Sequence, residues 1–290
     1  MLMAAEQFKI KKSIIPNHLW AKLEMLLSKI EMASPLFQYE VLEIWDESNN
    51  DFDECLARIF NNIQIDVCLT SNEKFKILNI ASNDIENRTQ AIETIKRRLA
   101  ELSVIGIHNF TITSPYKIAN VAYSHLYDSI IEICQFGLSI GASISFESFD
   151  TGKDKCRLIG NTDQVVELME HVRGSGCTNF FLTWDLGHFA LEEGDYINSL
   201  KSLLKYIKRI HISNYCTDKS QWYFGDKHLP FSGEGKITEK DIAYIMDYIN
   251  KHSNHIESIA FEVAPHSEIS ICNTPKQTYQ YLNSLAYLIR

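Results

Sequence analysis

Eight short runs rich in β-branched and aromatic residues recur along this chain, separated by longer segments of helical period. That alternation constrains the fold more than any other feature. The runs are FKIKKSI from Phe8, YEVLEIW from Tyr39, IDVCLTS from Ile65, FTITSPY from Phe110, SISFES from Ser143, FFLTWDL from Phe180, KRIHISN from Lys208 and SIAFEVA from Ser258. Strands alternating with helices argue for a parallel sheet with crossover connections, and eight parallel strands close into a barrel. A length of 290 residues suits one (β/α)8 TIM barrel with modest extensions, so residues 1–290 are expected to form a single domain.

The segments between the runs support this. Ile92, Ile95, Leu99 and Leu102 repeat at three and four residues before Gly106, which predicts a helix with a glycine stop. Within it, Lys96, Arg97 and Arg98 form the densest basic run and read as a solvated helix face. Ile242, Ile245, Met246 and Ile249 make an apolar stripe after Thr238, an N-cap residue with Asp241 three positions on. Gly141, Gly174 and Gly176 each precede a strand, where a helix must end and the chain turn inward. The least regular stretch, Cys216 to Lys236, is a long βα loop of the kind that often carries function.

Other features limit the partners. A formal net charge of −9 disfavours nucleic acid, whose binding depends on cations that neutralise phosphates. The seven cysteines are scattered without a C-x-x-C pair and read as reduced thiols. The first residues lack a long apolar core behind a basic region, and no run approaches a membrane-spanning length. A cytoplasmic chain with no membrane partner is the expectation, and homo-oligomerisation is left open.

Barrel enzymes place their chemistry at the C-terminal ends of the strands, so polar residues closing the apolar runs are the candidates. Glu147, Asp185, His211 and Glu262 hold such positions. Each would be costly to bury alone, and one cation shared by three carboxylates and a neutral imidazole would offset that cost. Such a donor set suits Mn, Co, Mg, Zn or Fe. The bland alternative is four separate salt-bridged or surface groups. Asp185-x-x-His188 lets His188 point into the same mouth, and Asp226-x-His228 in the long loop could chelate a second metal or bind a polar substrate. His108 precedes its strand and belongs at the far face, while the other histidines read as scattered surface groups. Trp45, Trp184, Trp222 and Tyr223 are candidates for lining a sugar pocket or for core packing. Glu43 is left unassigned.

The series SFESFD, TWDLGHF, RIHISNY, GDKHLPFSGEG and AFEVAP, in that order from about Leu69 onward, resembles the xylose isomerase-like TIM-barrel superfamily, particularly its sugar phosphate isomerase/epimerase members. Its strongest pieces are Asp185-x-x-His188 and Asp226-x-His228-Leu229-Pro230 followed by Gly233-x-Gly235. The resemblance implies that Glu147, Asp185, His211 and Glu262 hold one divalent metal, that Glu147 and Glu262 also move the proton as catalytic residues, and that His188 contacts substrate. The partner implied is a small polyhydroxylated carbonyl compound. Dehydratases use the same barrel and metal set, so lyase chemistry stays open. The related endonuclease IV type DNA-repair enzymes add two histidines at earlier strand ends for a three-zinc cluster, where this chain has Thr70 and Ser114. The arginine that ketose epimerases carry just beyond the metal histidine is missing after His211, which leaves Asn214, Lys219 or Lys227 to supply different contacts.

Overall fold

The computed structural model describes residues 10–15, 39–47, 50–59, 63–231 and 235–264. Eight strands form a closed parallel barrel: β1 (Lys11–Ile14), β2 (Val41–Trp45), β3 (Gln64–Cys68), β4 (Asn109–Thr113), β5 (Ser143–Glu147), β6 (Phe180–Asp185), β7 (Ile207–Ile212) and, last in the chain, β10 (Ser258–Phe261). Round the ring the order is β1, β10, β7, β6, β5, β4, β3, β2, so β1 pairs with β10 and closes the sheet. This is the (β/α)8 TIM barrel expected from the alternation, and each of the eight runs contributes one strand. Phe8 lies outside the described residues, as do His18, His266 and Cys272.

The helices between the strands are α1 (Asn50–Ile59), α2 (Ile85–Val104), α3 (Tyr123–Ser139), α4 (Thr162–Gly174), α5 (Leu186–Glu193), α6 (Tyr196–Leu203) and α7 (Glu239–His252). Their starts are set by side chains that satisfy amide donors with no partner inside the helix. Asp84 accepts from the amides of Glu86 and Asn87 ahead of α2. Asn161 with Gln164 and Thr238 with Asp241 form reciprocal capping boxes on α4 and α7, each substitution of such a cap being worth about 1 kcal/mol. Gly106 and Gly176 take φ of 90° after α2 and α4, a conformation that costs glycine nothing. Ile92, Ile95, Leu99 and Leu102 are buried, as are Ile242, Ile245, Met246 and Ile249, so both stripes face the barrel wall.

The basic run on α2 departs from a solvated face at its last residue. Arg97 is exposed and pairs with Glu101, but Arg98 is buried and bonds Asp46, Asp53 and Glu101. Its guanidinium fork ties α2 to the segment between β2 and α1, a role suited to a planar cation with five donors. Among the described residues no helix is long and apolar enough to cross a membrane, and five cysteines, Cys68, Cys134, Cys156, Cys177 and Cys216, carry free thiols.

The loop from Cys216 to Lys236 is more ordered than its sequence suggests. Its start, β8 (Tyr215–Cys216), pairs antiparallel with β9 (Gly225–Asp226), and Ala264 donates to the carbonyl of His228 at 2.8 Å. The loop therefore folds back over the end of β10. Ser232, Gly233 and Glu234 lie outside the described residues.

Candidate metal centre

Four adjacent strands, β5, β6, β7 and β10, carry the four candidate ligands to one end of the barrel. Glu147 and Asp185 are the last residues of β5 and β6, His211 sits one before the end of β7, and Glu262 follows β10, its amide bonded to the Ile212 carbonyl at 3.0 Å. Strand register sets Asp185 beside His211. One ligand atom from each of the four lies within 4.8 Å of the others, and all four residues are buried. His211 Nδ1 is 3.1 Å from Glu147 and 3.2 Å from Glu262.

These residues fit a divalent cation. Asp185 Oδ1 accepts from the His188 amide at 2.8 Å and from the Ser213 hydroxyl at 2.6 Å, whereas its buried Oδ2 has no hydrogen-bond donor. Burial raises the Asp185 carboxyl, and although His188 opposes the rise, the charges of Glu262 and Asp226 add to it, so that it is pushed up to about 7. His188 stands 3.8 Å from the clamped oxygen, while the other oxygen is buried without a donor, and a cation there would offset the cost of that burial. Three carboxylate oxygens and one imidazole nitrogen are donors for Mn, Co, Mg, Zn or Fe alike. Among the described residues no second group of acidic, His or Cys side chains converges in this way.

The spacing Asp-x-x-His has a local cause. Asp185 is the N-cap of α5 and bonds the amide of His188 in the first turn, which directs the His188 ring back toward the mouth. Gly187 lies between them because its amide bonds Ser213 Oγ at 3.0 Å, and an added Cβ would collide with that hydroxyl. His188 Nδ1 is 2.9 Å from the Ser148 carbonyl, and Nε2 is 3.0 Å from Asp226. Burial works against charge on this ring, but Asp185 and Asp226 outweigh it and raise His188 to about 10.

Asp226 and His228 come to the same mouth on the β8–β9 hairpin. His228 Nδ1 is 3.5 Å from Asp226, and its Nε2 is 3.7 Å from Glu262. Burial would raise the Asp226 carboxyl, yet His228, His188 and Lys155 together hold it well below the usual carboxylate range. Lys155 Nζ donates to the Asp226 carbonyl at 3.0 Å and stands 3.8 Å from its carboxylate. A second metal ion here would have to sit beside that ammonium, which Coulomb repulsion in a buried setting opposes.

Several contacts differ from the sequence expectations. Asn214 is fully buried and bonds the backbone of Tyr215, Pro230 and Ile237, so it shapes the loop and does not reach the mouth. Lys227 pairs with Asp154, and Lys219 lies over the Phe224 ring. The cations nearest the mouth instead come from the loop after β5, where Lys155 meets Asp226 and the guanidinium of Arg157 stacks 3.6 Å above Tyr116. Trp184 is fully buried on the helix side of β6 and bonds Ser199 of α6, whereas Trp45 lines the cavity with Ile15, Cys68, Glu147, His211 and Glu262. Trp222 is largely exposed. Burial and the charge of Glu147 push the Cys68 thiol up to about 12, so it is a neutral lining group. His108 is exposed before β4. The residue that sequence reasoning left unassigned, Glu43 on β2, contacts His211 Nε2 at 2.8 Å.

Asp150 organises the loop that delivers Lys155 and Arg157, accepting from the amides of Lys153, Asp154 and Lys155. Burial would raise this carboxyl, but the amide donors prevail and lower it. Its stabilisation is therefore present above the ordinary carboxylate range near ~4 and is lost as pH falls through the depressed value. Asp150→Ala is expected to cost about 1–3 kcal/mol by leaving three part-buried loop amides unmet. Thermal melts across pH, with limited proteolysis near residue 155, check this; an unchanged melting temperature with an intact loop would refute it.

The comparisons with known proteins agree with the barrel fold. A family model described as xylose isomerase-like TIM barrel matches residues 30–281. No curated protein is similar enough in sequence to match. Among solved structures, an L-ribulose 3-epimerase is similar at 14% identity and TM-score 0.73, covering 97% of this chain and 95% of its own. A D-psicose 3-epimerase from Clostridium cellulolyticum H10 is similar at 15% identity and TM-score 0.69, covering 97% and 100%. An AP endonuclease of family 2 from Brucella melitensis is similar at 13% identity and TM-score 0.65, covering 96% and 98%. At such identities the likeness of structures shows the fold alone; the family match over most of the sequence goes further, and the chain belongs to the xylose isomerase-like TIM-barrel family.

Proposed function

We propose that the protein is a metal-dependent isomerase or epimerase of a small sugar or sugar-like polyhydroxylated carbonyl compound, acting by proton transfer at the carbon beside the carbonyl. The observation that carries this reading is the convergence of Glu147, Asp185, His211 and Glu262 within 4.8 Å on four adjacent strands. It is supported by the fold shared with structures named L-ribulose 3-epimerase and D-psicose 3-epimerase. A divalent cation held by these four residues supplies Lewis-acid polarisation of a carbonyl and its neighbouring hydroxyl, which acidifies the C–H beside the carbonyl.

The proton itself is handled by side chains. Glu147 and Glu262 enter from strands separated by β6 and β7, so the two carboxylates reach the site from different directions. One can take the proton and the other return it, as general base and general acid. His228 Nε2 lies 3.7 Å from Glu262, at the edge of that carboxylate. Phe149 packs its ring 4.1 Å from His188 and, with Trp45 and Ile15, helps exclude water from the reacting atoms.

Two observations weigh against a multi-zinc nuclease. Thr70 bonds the hydroxyl and the amide of Thr113, and Ser114 accepts from the Ile159 amide at 2.8 Å, so both hydroxyls at the earlier strand ends serve the backbone. Lys155 occupies the charge position beside Asp226.

The test is incubation with Mn2+ and a panel of keto and aldo sugars in D2O, followed by mass and NMR analysis. A product isomeric with its substrate and carrying deuterium beside the carbonyl is expected. A product lacking one water would make the enzyme a lyase, and nicking of abasic duplex DNA would sink the reading altogether. Elemental analysis should also find one divalent ion per chain, kept in His228→Ala; loss of the ion in that variant would make the loop histidine a ligand.

A further inference from the structure

Glu43 has no part in the reaction outlined above, yet its contacts are as specific as those of any candidate ligand. It is only 7% exposed inside the barrel. One carboxylate oxygen lies 2.8 Å from His211 Nε2, and the other accepts the hydroxyl of Ser13 on β1. A carboxylate accepts hydrogen bonds and donates none, so the Nε2 that faces Glu43 carries a proton. The lone pair available on the neutral ring is then on Nδ1, the nitrogen that points to Glu147 and Glu262 at 3.1 and 3.2 Å.

Nothing in the sequence of β7 settles this choice, because imidazole can present either nitrogen to a cation. Rotation of the ring would turn its C–H edge toward Glu43 and leave a buried carboxylate without its imidazole partner, which burial penalises. The Ser13 bond keeps the carboxylate from turning away. In register, Glu43 stands beside Asp66, which holds the Arg209 guanidinium in an ion pair, so that cation, whose charge also reaches Glu43, is engaged by its neighbour while the imidazole bonds Glu43.

We infer that Glu43 is a positioning residue: through the Ser13–Glu43–His211 chain it fixes the tautomer and orientation of His211, so that Nδ1 serves the metal centre. This rests on the single-metal reading. Hydrogen-bonded partners of ligating histidines typically contribute about 10–100-fold to metal affinity, and that range is expected here.

The experiment is calorimetric titration of Mn2+ into wild type, Glu43→Ala and Glu43→Gln. It is paired with long-range 15N–1H spectra of histidine-labelled protein loaded with Zn2+ as a diamagnetic probe. Glu43→Ala should bind Mn2+ about 10–100-fold more weakly. Glu43→Gln should stay within a few-fold of wild type, because its amide oxygen still accepts from Nε2 and its amide nitrogen can donate to Ser13. Wild type and Glu43→Gln should both show a downfield, slowly exchanging proton on His211 Nε2, a signature that a merely structural residue would not control.

Wild-type affinity in a folded Glu43→Ala would overturn the inference while leaving the metal centre intact. A Glu43→Gln as weak as Glu43→Ala would overturn it too, pointing to charge and not to orientation. If Glu43→Ala fails to fold, the proton assignment in wild type decides, and a proton on Nδ1 refutes the proposal. Wild type that binds no Mn2+ would remove the single-metal reading itself.

Discussion

Asp185→Ala is expected to release the divalent cation and to lower turnover by about 10³-fold or more, since loss of Lewis-acid stabilisation costs several kcal/mol and each 1.36 kcal/mol is about a decade in rate. The expectation follows from how this carboxylate is held. His188 and Ser213 fix one oxygen, the other has no donor of its own, and the carboxylate so held comes within 4.8 Å of ligand atoms on Glu147, His211 and Glu262. Alanine removes the aimed oxygen and also the cap of α5, so the fold should lose only about 1 kcal/mol while the metal is lost outright. Elemental analysis after gel filtration, with deuterium exchange as the activity readout, measures both effects. Retention of one ion per chain with unimpaired exchange would dismiss Asp185 as a ligand.

The same residue gives the pH dependence of metal uptake in the wild type. Its carboxyl sits at about 7 without a cation, and a ligand must be deprotonated to bind. Affinity should therefore weaken as pH falls below about 7, by about tenfold per pH unit for each proton displaced. A flat affinity between pH 5 and 8 would contradict this.

The largest effect on stability is expected from Arg209→Ala. Arg209 is wholly buried in the barrel interior, paired with Asp66 and bonded to Ser145. Breaking such a pair from one side typically costs about 3–5 kcal/mol, because the remaining charge is stranded. For a chain of this size that corresponds to a fall in Tm of about 6–15 °C. Burial already raises the Asp66 carboxyl, and Arg209 works against that rise. An acid whose folded pKa is raised binds more protons folded than unfolded, so its burden grows with pH. The variant's defect should consequently shrink in acid, where Asp66 can take a proton. Arg209→Met with Asp66→Leu, which removes both charges, should recover most of the loss. A single variant as stable as wild type would show the pair to be dispensable.

What could be read from the sequence follows from where each signal is stored. Glu147, Asp185, His211 and Glu262 break apolar runs at their ends, where barrel geometry gives an end-of-strand residue only one place to go. Their meeting within 4.8 Å needs no more than strand order and the pleat. Glu43 breaks its run as visibly, and as far along it as Glu262 does, but the fold sets it mid-strand on β2, and its partner His211 lies 168 residues away. Nothing short of the register between strands joins them. In the sequence, cations are expected after β7 at Lys219 or Lys227, with Asn214 as a neutral polar alternative. They arrive instead on the loop after β5, whose path depends on three amides converging on Asp150, a contact with no periodicity to betray it. Trp184, open in the sequence between pocket and core, falls to the core, since a residue next to a candidate ligand on a strand faces the opposite side.

The contiguity of β5, β6, β7 and β10 round the ring divides the barrel into two semicircles with different freedoms to change. One semicircle holds every candidate metal ligand and tolerates little. The other, from β1 to β4, borders the cavity with Ile15, Trp45, Cys68 and Thr111, groups that can be exchanged for others of different size and polarity without disturbing a ligand. Apart from Ser13 and Glu43, which hold His211, and Asp66, which pairs with Arg209 and accepts from Thr111, this half of the wall is open to drift and to engineering. Redesign of what the protein accepts can thus begin on β1, β3 and β4, with the reactive arc left as it stands.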